Sequence, residues 1–184
     1  MVMGMSEADP TETEVEAMRQ LVAAGMAQGA FGMSTGLVYA PGAFAKTDEL
    51  VRLSEIVAAH KGIYATHMRN EGGRLVESVA EAIEIGERAG VSVQISHHKA
   101  AGNFNWGKVK TTLGMIDDAN MRGLEIHSDV YPYTAGSTIL SSMFVPLWAF
   151  EGGSARMLER LRDPELRARI IADSKEQILA YVDL

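Results

Sequence analysis

The sequence predicts an α/β protein built on a parallel sheet, amounting to about half of a (β/α)8 barrel. Strand-like runs start near residues 31, 63, 91 and 124, about 30 residues apart. A helical pattern precedes each run and ends in glycine, at Gly29, Gly62, Gly90 and Gly123; this is the rhythm of repeated βα units. No glycine-rich phosphate turn follows the first strand, which favours a closed barrel over a doubly wound open sheet. A complete barrel takes about 250 residues. Four strands are half of that, so a truncated chain or a partner is expected.

Taken in order, Thr11 to Gln28 places Val15, Met18, Leu21, Val22 and Met26 at helical spacing. Thr11 with Glu14 three residues on reads as a capping box. Ala30 to Tyr39 reads as a buried strand entering a Gly- and Pro-containing loop. A second helix starts at Thr47-Asp48-Glu49, with Leu50, Leu53, Ile56 and Val57 inward, and Ile63 to Thr66 is the next strand. Arg74 to Ala89 buries Leu75, Val79, Ala82, Ile83 and Gly86 before the strand Val91 to Ser96. A fourth helix, about Lys108 to Arg122, turns Val109, Leu113, Ile116 and Ala119 inward, and Leu124 to Ser128 is the fourth strand. Residues 134–153 read as a Gly-, Ser- and Thr-rich loop. Ser154 to Leu184 is helical and charged, restarting at Asp163-Pro164. No linker marks a second domain, so residues 1–184 are read as one unit.

The 184 residues are 47% hydrophobic and 22% charged, enough for one sizeable core. A formal charge of −7 lacks the basic footprint that nucleic-acid binding requires. No apolar run approaches the roughly 20 residues that span a bilayer. The first ten residues lack the basic flank and apolar run of a signal peptide, so a cytoplasmic location is expected, with no membrane partner. With no cysteine there is no thiolate metal site. The 11 methionines read as core filling.

In parallel α/β folds functional groups sit just beyond the carboxyl ends of the strands. There the second strand runs into His67-Met68-Arg69-Asn70-Glu71, the third into His97-His98-Lys99, and the fourth into Ser128-Asp129-Val130-Tyr131-Pro132-Tyr133. Neighbouring strands are about 4.8 Å apart, so His67 and His97 at matching heights are able to share a metal ion. Imidazole is a favoured zinc ligand. Two such histidines leave ligation and ordinary hydrogen bonding evenly balanced, and two ligands are one short of the usual catalytic set. On a pleated strand only one of His97 and His98 faces the barrel centre, and the arrangement favours His97. His60 reads as a helix C-cap and His127 as a packing residue. Lys99 suits either a carboxylate partner or a surface cation. Asp129 suits either support of the site or a loop cap, and Arg69 with Glu71 suits a solvated pair.

Four segments then carry a resemblance. Gly29-Ala30-Phe31-Gly32-Met33-Ser34-Thr35-Gly36-Leu37, Thr66-His67-Met68-Arg69-Asn70-Glu71, Ile95-Ser96-His97-His98-Lys99 and Asp129-Val130-Tyr131-Pro132-Tyr133-Thr134-Ala135-Gly136-Ser137-Thr138 occur in this order, with about 30 residues from His67 to His97. Together they resemble the N-acyl-D-amino-acid deacylases (D-aminoacylases) of the metal-dependent amidohydrolase superfamily. The resemblance implies a (β/α)8 barrel that uses zinc to hydrolyse small N-acyl-D-amino acids to a carboxylate and the free D-amino acid. It implies that His67 and His97 are the metal ligands of barrel strands five and six, and that Lys99, Tyr131 and Ser137 hold the substrate carboxylate. The family's His-x-His pair, bridging cysteine and strand-eight aspartate base have no counterpart here. The chain is therefore expected to be about strands four to seven of a longer protein, with Met1 not the native start. Alone, it is expected to be inactive and to self-associate through open barrel edges. A cyclic-amide hydrolase of the dihydroorotase or hydantoinase kind and a non-catalytic half-barrel are the alternatives. Lys99 and the Tyr131–Ser137 segment argue against the first of these.

Overall fold

The computed structural model describes residues 2–179. Four parallel strands, β1 (Gly32–Gly36), β2 (Ile63–His67), β3 (Ser92–Ile95) and β4 (Ile126–Ser128), pair in chain order. The helices α1 (Glu12–Ala27), α2 (Thr47–Ala59), α3 (Leu75–Ala89) and α4 (Lys108–Met121) alternate with them, and each packs against the next. This is the repeating βα pattern expected, with strands a few residues shorter than their apolar runs; β1, expected to be buried, is only partly covered, and Phe31 before it is exposed.

Register explains which face is buried. Tyr64 pairs with Val93, Thr66 with Ile95, and Val93 with Ile126, so these side chains project to one face, because strand side chains alternate. All five are buried. The aliphatic ones and Tyr64 form one core with Val57, Val79, Ile85, Ile116 and Ala119 from the helices. Every inward position expected on α3 is buried, and its C-cap Gly90 takes the left-handed φ of 65° that glycine tolerates. The opposite face carries Ser34, Ala65, Gln94 and His127. No helix layer covers it among the described residues, and Ile63 stays 46% exposed there.

The Thr11–Glu14 capping box forms at the start of α1 in both directions. His60 is the C-cap of α2, its Nδ1 2.9 Å from the Ile56 carbonyl. Four expectations need correction. Leu21, 63% exposed, borders an open groove between α1 and the N-terminal segment rather than the core, and Leu113 is likewise exposed on α4. His127 is exposed, because the face from which it projects has no covering layer. The presumed loop over 134–153 holds a short helix, α5 (Leu140–Phe144), and a 3-10 turn at Leu147–Phe150. These form because α6 (Ser154–Arg162) and α7 (Pro164–Leu179) give them something to pack on. Trp148 Nε1 donates to Asp173 at 2.8 Å, Arg169 stacks on the Trp148 ring, and Ser174 donates to the Phe144 carbonyl. The expected terminal helix holds as far as 179, and 180–184 lie outside the described residues. No described helix is long and apolar enough to cross a membrane.

Candidate metal centre

The carboxyl ends of β2, β3 and β4 open onto one cluster. His67 is the last residue of β2. Since Thr66 pairs with Ile95, its neighbour in register is Ser96, and His97 lies one step further along. The equal heights expected for the two histidines are therefore not met by register. The backbone makes up the difference: His97 adopts φ 42°, a left-handed conformation uncommon outside glycine. Asp129 stabilises that turn by accepting the His97 N–H at 2.7 Å and the Gln94 amide at 2.8 Å. The imidazoles of His67 and His97 thereby meet edge to face, their centroids 4.4 Å apart. His98 turns away, buried, with Nε2 2.8 Å from the Thr112 hydroxyl of α4. Only one of the pair faces the cluster, and it is His97, but through this turn rather than the pleat: alternation from Gln94 alone would put His98 on the His67 face.

Glu71 completes the cluster. Its Oε1 lies 2.7 Å from His97 Nδ1 and its Oε2 2.6 Å from Lys99 Nζ. One donor atom each from His67, Glu71 and His97 falls within 4.8 Å of the others. The two imidazoles suit a divalent cation of the zinc type, and the Glu71 carboxylate adds negative charge beside them. Burial pushes the His67 pKa below its ordinary value, opposed by the nearby Glu71 charge. His67 therefore keeps a free lone pair near neutral pH. Lys99 sits 5.1 Å from the centre of the Tyr131 ring, and that ring is 6.3 Å from His97. Ser137 is exposed on the segment after β4. Its neighbours are anchored: Gly136 lies against the Tyr131 hydroxyl, and Thr138 bonds the Tyr39 hydroxyl at 2.8 Å.

Two contributors escaped the sequence reading. Glu71 does not form the solvated pair with Arg69 that their spacing suggests; Arg69 forks onto Glu81 at 2.9 and 3.0 Å. Tyr39, beyond the end of β1, packs on His67 with ring centroids 5.0 Å apart. Its position past a strand end was the available signal.

No family model matches the chain. Known proteins do. The D-aminoacylase of Alcaligenes xylosoxydans xylosoxydans is 46% identical over 130 residues, 71% of this chain and 27% of that protein. The N-acyl-D-glutamate deacylase of the same organism is 41% identical over 133 residues, 72% of this chain and 27% of that one. The crystal structure of N-acyl-D-glutamate deacylase from Bordetella bronchiseptica, complexed with zinc and a phosphonate mimic of the tetrahedral intermediate, superposes with a TM-score of 0.72 at 40% identity. It matches over 73% of this chain and 28% of that one. Over the matched residues, this chain belongs to the N-acyl-D-amino-acid deacylase family. Its sequential parallel sheet is part of the family's (β/α)8 barrel. The chain spans about 27% of the length of the curated deacylases it matches.

Proposed function

We propose that this chain is a segment of the catalytic barrel of a zinc-dependent hydrolase that cleaves the amide bond of N-acyl-D-amino acids. The observation that carries the reading is the convergence of His67, Glu71 and His97 beside Lys99 and Tyr131, on a segment 46% identical to a D-aminoacylase. His67 and His97 are the residues we assign to hold zinc. When bound there, the ion supplies Lewis acidity for the amide carbonyl and for the attacking water.

The chain's own residues set the rest. The Lys99 ammonium is charge-matched to a substrate carboxylate, while the Tyr131 and Ser137 hydroxyls add neutral donors that fix its orientation. Fixing the carboxylate on one side and the metal ligands on the other sets which amide of the substrate is presented, and with what handedness. Two imidazoles fall one short of the usual three protein ligands, and no cysteine is present to add another. The aspartate base that the family resemblance places on barrel strand eight also has no counterpart here, and losing a general base costs about 10²- to 10⁴-fold in rate by itself, so the 184-residue chain alone is inactive on this reading.

The test is a transplant. In the 46%-identical D-aminoacylase, the equivalent segment is replaced with the matched residues of this chain, and the chimera is assayed on N-acetyl-D-methionine with its zinc content measured. Turnover is expected, with zinc lost in His67→Ala and His97→Ala. Lys99→Ala is expected to raise KM while zinc content holds. A chimera that binds zinc but opens cyclic amides in place of linear ones would overturn the substrate assignment.

A further inference from the structure

We propose that Glu71 is a positioning residue that sets two functional groups at once. It holds His97 as the Nδ1–H tautomer, leaving Nε2 for a metal, and it tethers the Lys99 ammonium. This rests on the zinc-hydrolase reading given above.

The chemistry of the three groups leaves little freedom. A carboxylate only accepts hydrogen bonds. The 2.7 Å contact from Glu71 Oε1 to His97 Nδ1 therefore requires the proton on that nitrogen. With Nδ1 protonated, Lys99 Nζ at 3.1 Å cannot donate to it. The ammonium donates instead to Glu71 Oε2 at 2.6 Å and to the His97 carbonyl at 2.9 Å, which leaves one N–H uncommitted. Both Glu71 oxygens are thus engaged, and the side chain is only 14% exposed. Acting as a ligand itself would cost Glu71 one or both of these partners.

The mount is stiff as well. The Glu71 carbonyl accepts the Ala101 N–H at 2.7 Å, which ties the loop after β2 to the loop after β3. The Asn70 side chain caps the Gly72 and Arg74 N–H groups at 2.9 and 3.0 Å. One carboxylate on a braced loop therefore links the ligand at the end of β3 to the cation two residues later. Partners of this kind typically change metal affinity by about 10- to 100-fold when removed.

The experiment uses the 184-residue chain labelled with nitrogen-15 in histidine, first without metal at about pH 8. Multiple-bond proton–nitrogen spectra report the His97 tautomer, and circular dichroism confirms the fold of each variant. Wild type is expected as Nδ1–H. Glu71→Gln retains an acceptor oxygen and should keep that tautomer, whereas Glu71→Ala should lose the preference. Zinc titration should then show Glu71→Ala weakened about 10- to 100-fold and Glu71→Gln less affected. The proposal is overturned if Glu71→Ala keeps both the tautomer and the zinc affinity. It is equally overturned if Glu71→Gln abolishes binding as completely as His67→Ala does, which would make Glu71 a ligand. Should wild type take up no zinc at all, the metal reading fails, and the metal-free tautomer comparison still decides the hold of Glu71 on His97.

Discussion

Replacing Arg69 with Met should destabilise the fold by about 2–4 kcal/mol and loosen the loop that carries Tyr39. The guanidinium forks onto Glu81 and donates to the Ala43 and Ala45 carbonyls at 2.9 and 2.8 Å. It thereby clamps the loop after β1 to α3. Breaking a buried ion pair costs about 3–5 kcal/mol, mostly from the charge left behind. Here water reaches part of the pair, and Glu81 keeps the Thr47 hydroxyl at 2.9 Å, so the pair contributes the lower part of that range or less. The two carbonyls add about 0.5–1.5 kcal/mol each, partly recovered by hydration. Arg69→Lys keeps the charge, but a single ammonium cannot serve both the fork and the carbonyls, so about 1–2 kcal/mol should be lost. Replacing both Arg69 and Glu81 with Met should recover part of the single-variant loss, because no unpaired charge remains. Urea unfolding followed by circular dichroism measures each change from the midpoint at unchanged slope. An Arg69→Met variant within about 0.5 kcal/mol of wild type, or a double variant less stable than the single, would refute this account.

Tyr64 supplies a pH test. Burial raises its pKa above the usual 10.0, opposed by hydrogen bonds to Thr35 and Thr66. A raised folded-state pKa means that its contribution is complete below the unfolded value and is lost as pH climbs through the folded one. Wild type should lose stability above about pH 10 more steeply than Tyr64→Phe, as read from urea midpoints across the alkaline range. Ile95→Ala, at a fully buried site in β3, should cost about 2–5 kcal/mol in the same assay. His98→Ala should cost about 1–3 kcal/mol by removing a buried partner of Thr112 while leaving zinc uptake intact. Equal loss of zinc in His98→Ala and His97→Ala would refute the division of roles between them.

The four βα units were legible because each helix carries one apolar stripe and a glycine marks the passage from each helix into the next strand. On α3, where both faces of the helix are unambiguous, every inward residue read from spacing is buried. The reading erred where burial depends on what lies opposite. Leu21 and Leu113 fit a helical stripe, yet they stay 63% and 44% exposed. His127 alternates as a strand residue should, but towards an uncovered face. The site was half legible. His67 ends its strand, His97, Lys99 and Tyr131 sit just past theirs, and periodicity locates strand ends. Glu71 was not found, because nearness in sequence suggested Arg69 as its partner, while the actual partners, His97 and Lys99, arrive from the next strand. The left-handed turn at His97 was equally invisible, since it depends on Asp129 just beyond β4.

The order β1-β2-β3-β4, identical to chain order, makes stability a matter of nearest-neighbour coupling. Each strand depends on the one before and the one after, as in repeat proteins. In the 184-residue chain by itself, amide hydrogens of β2 and β3, which are flanked on both sides, should exchange slowest, with β1 and β4 opening first. Of the strands whose ends build the cluster, β4 carries Asp129 and Tyr131 just beyond it. Fraying from that side would release the His97 turn while β2 still holds His67 in place. The two imidazoles would then part before the sheet melts, so occupancy of the site would report the integrity of a neighbouring strand.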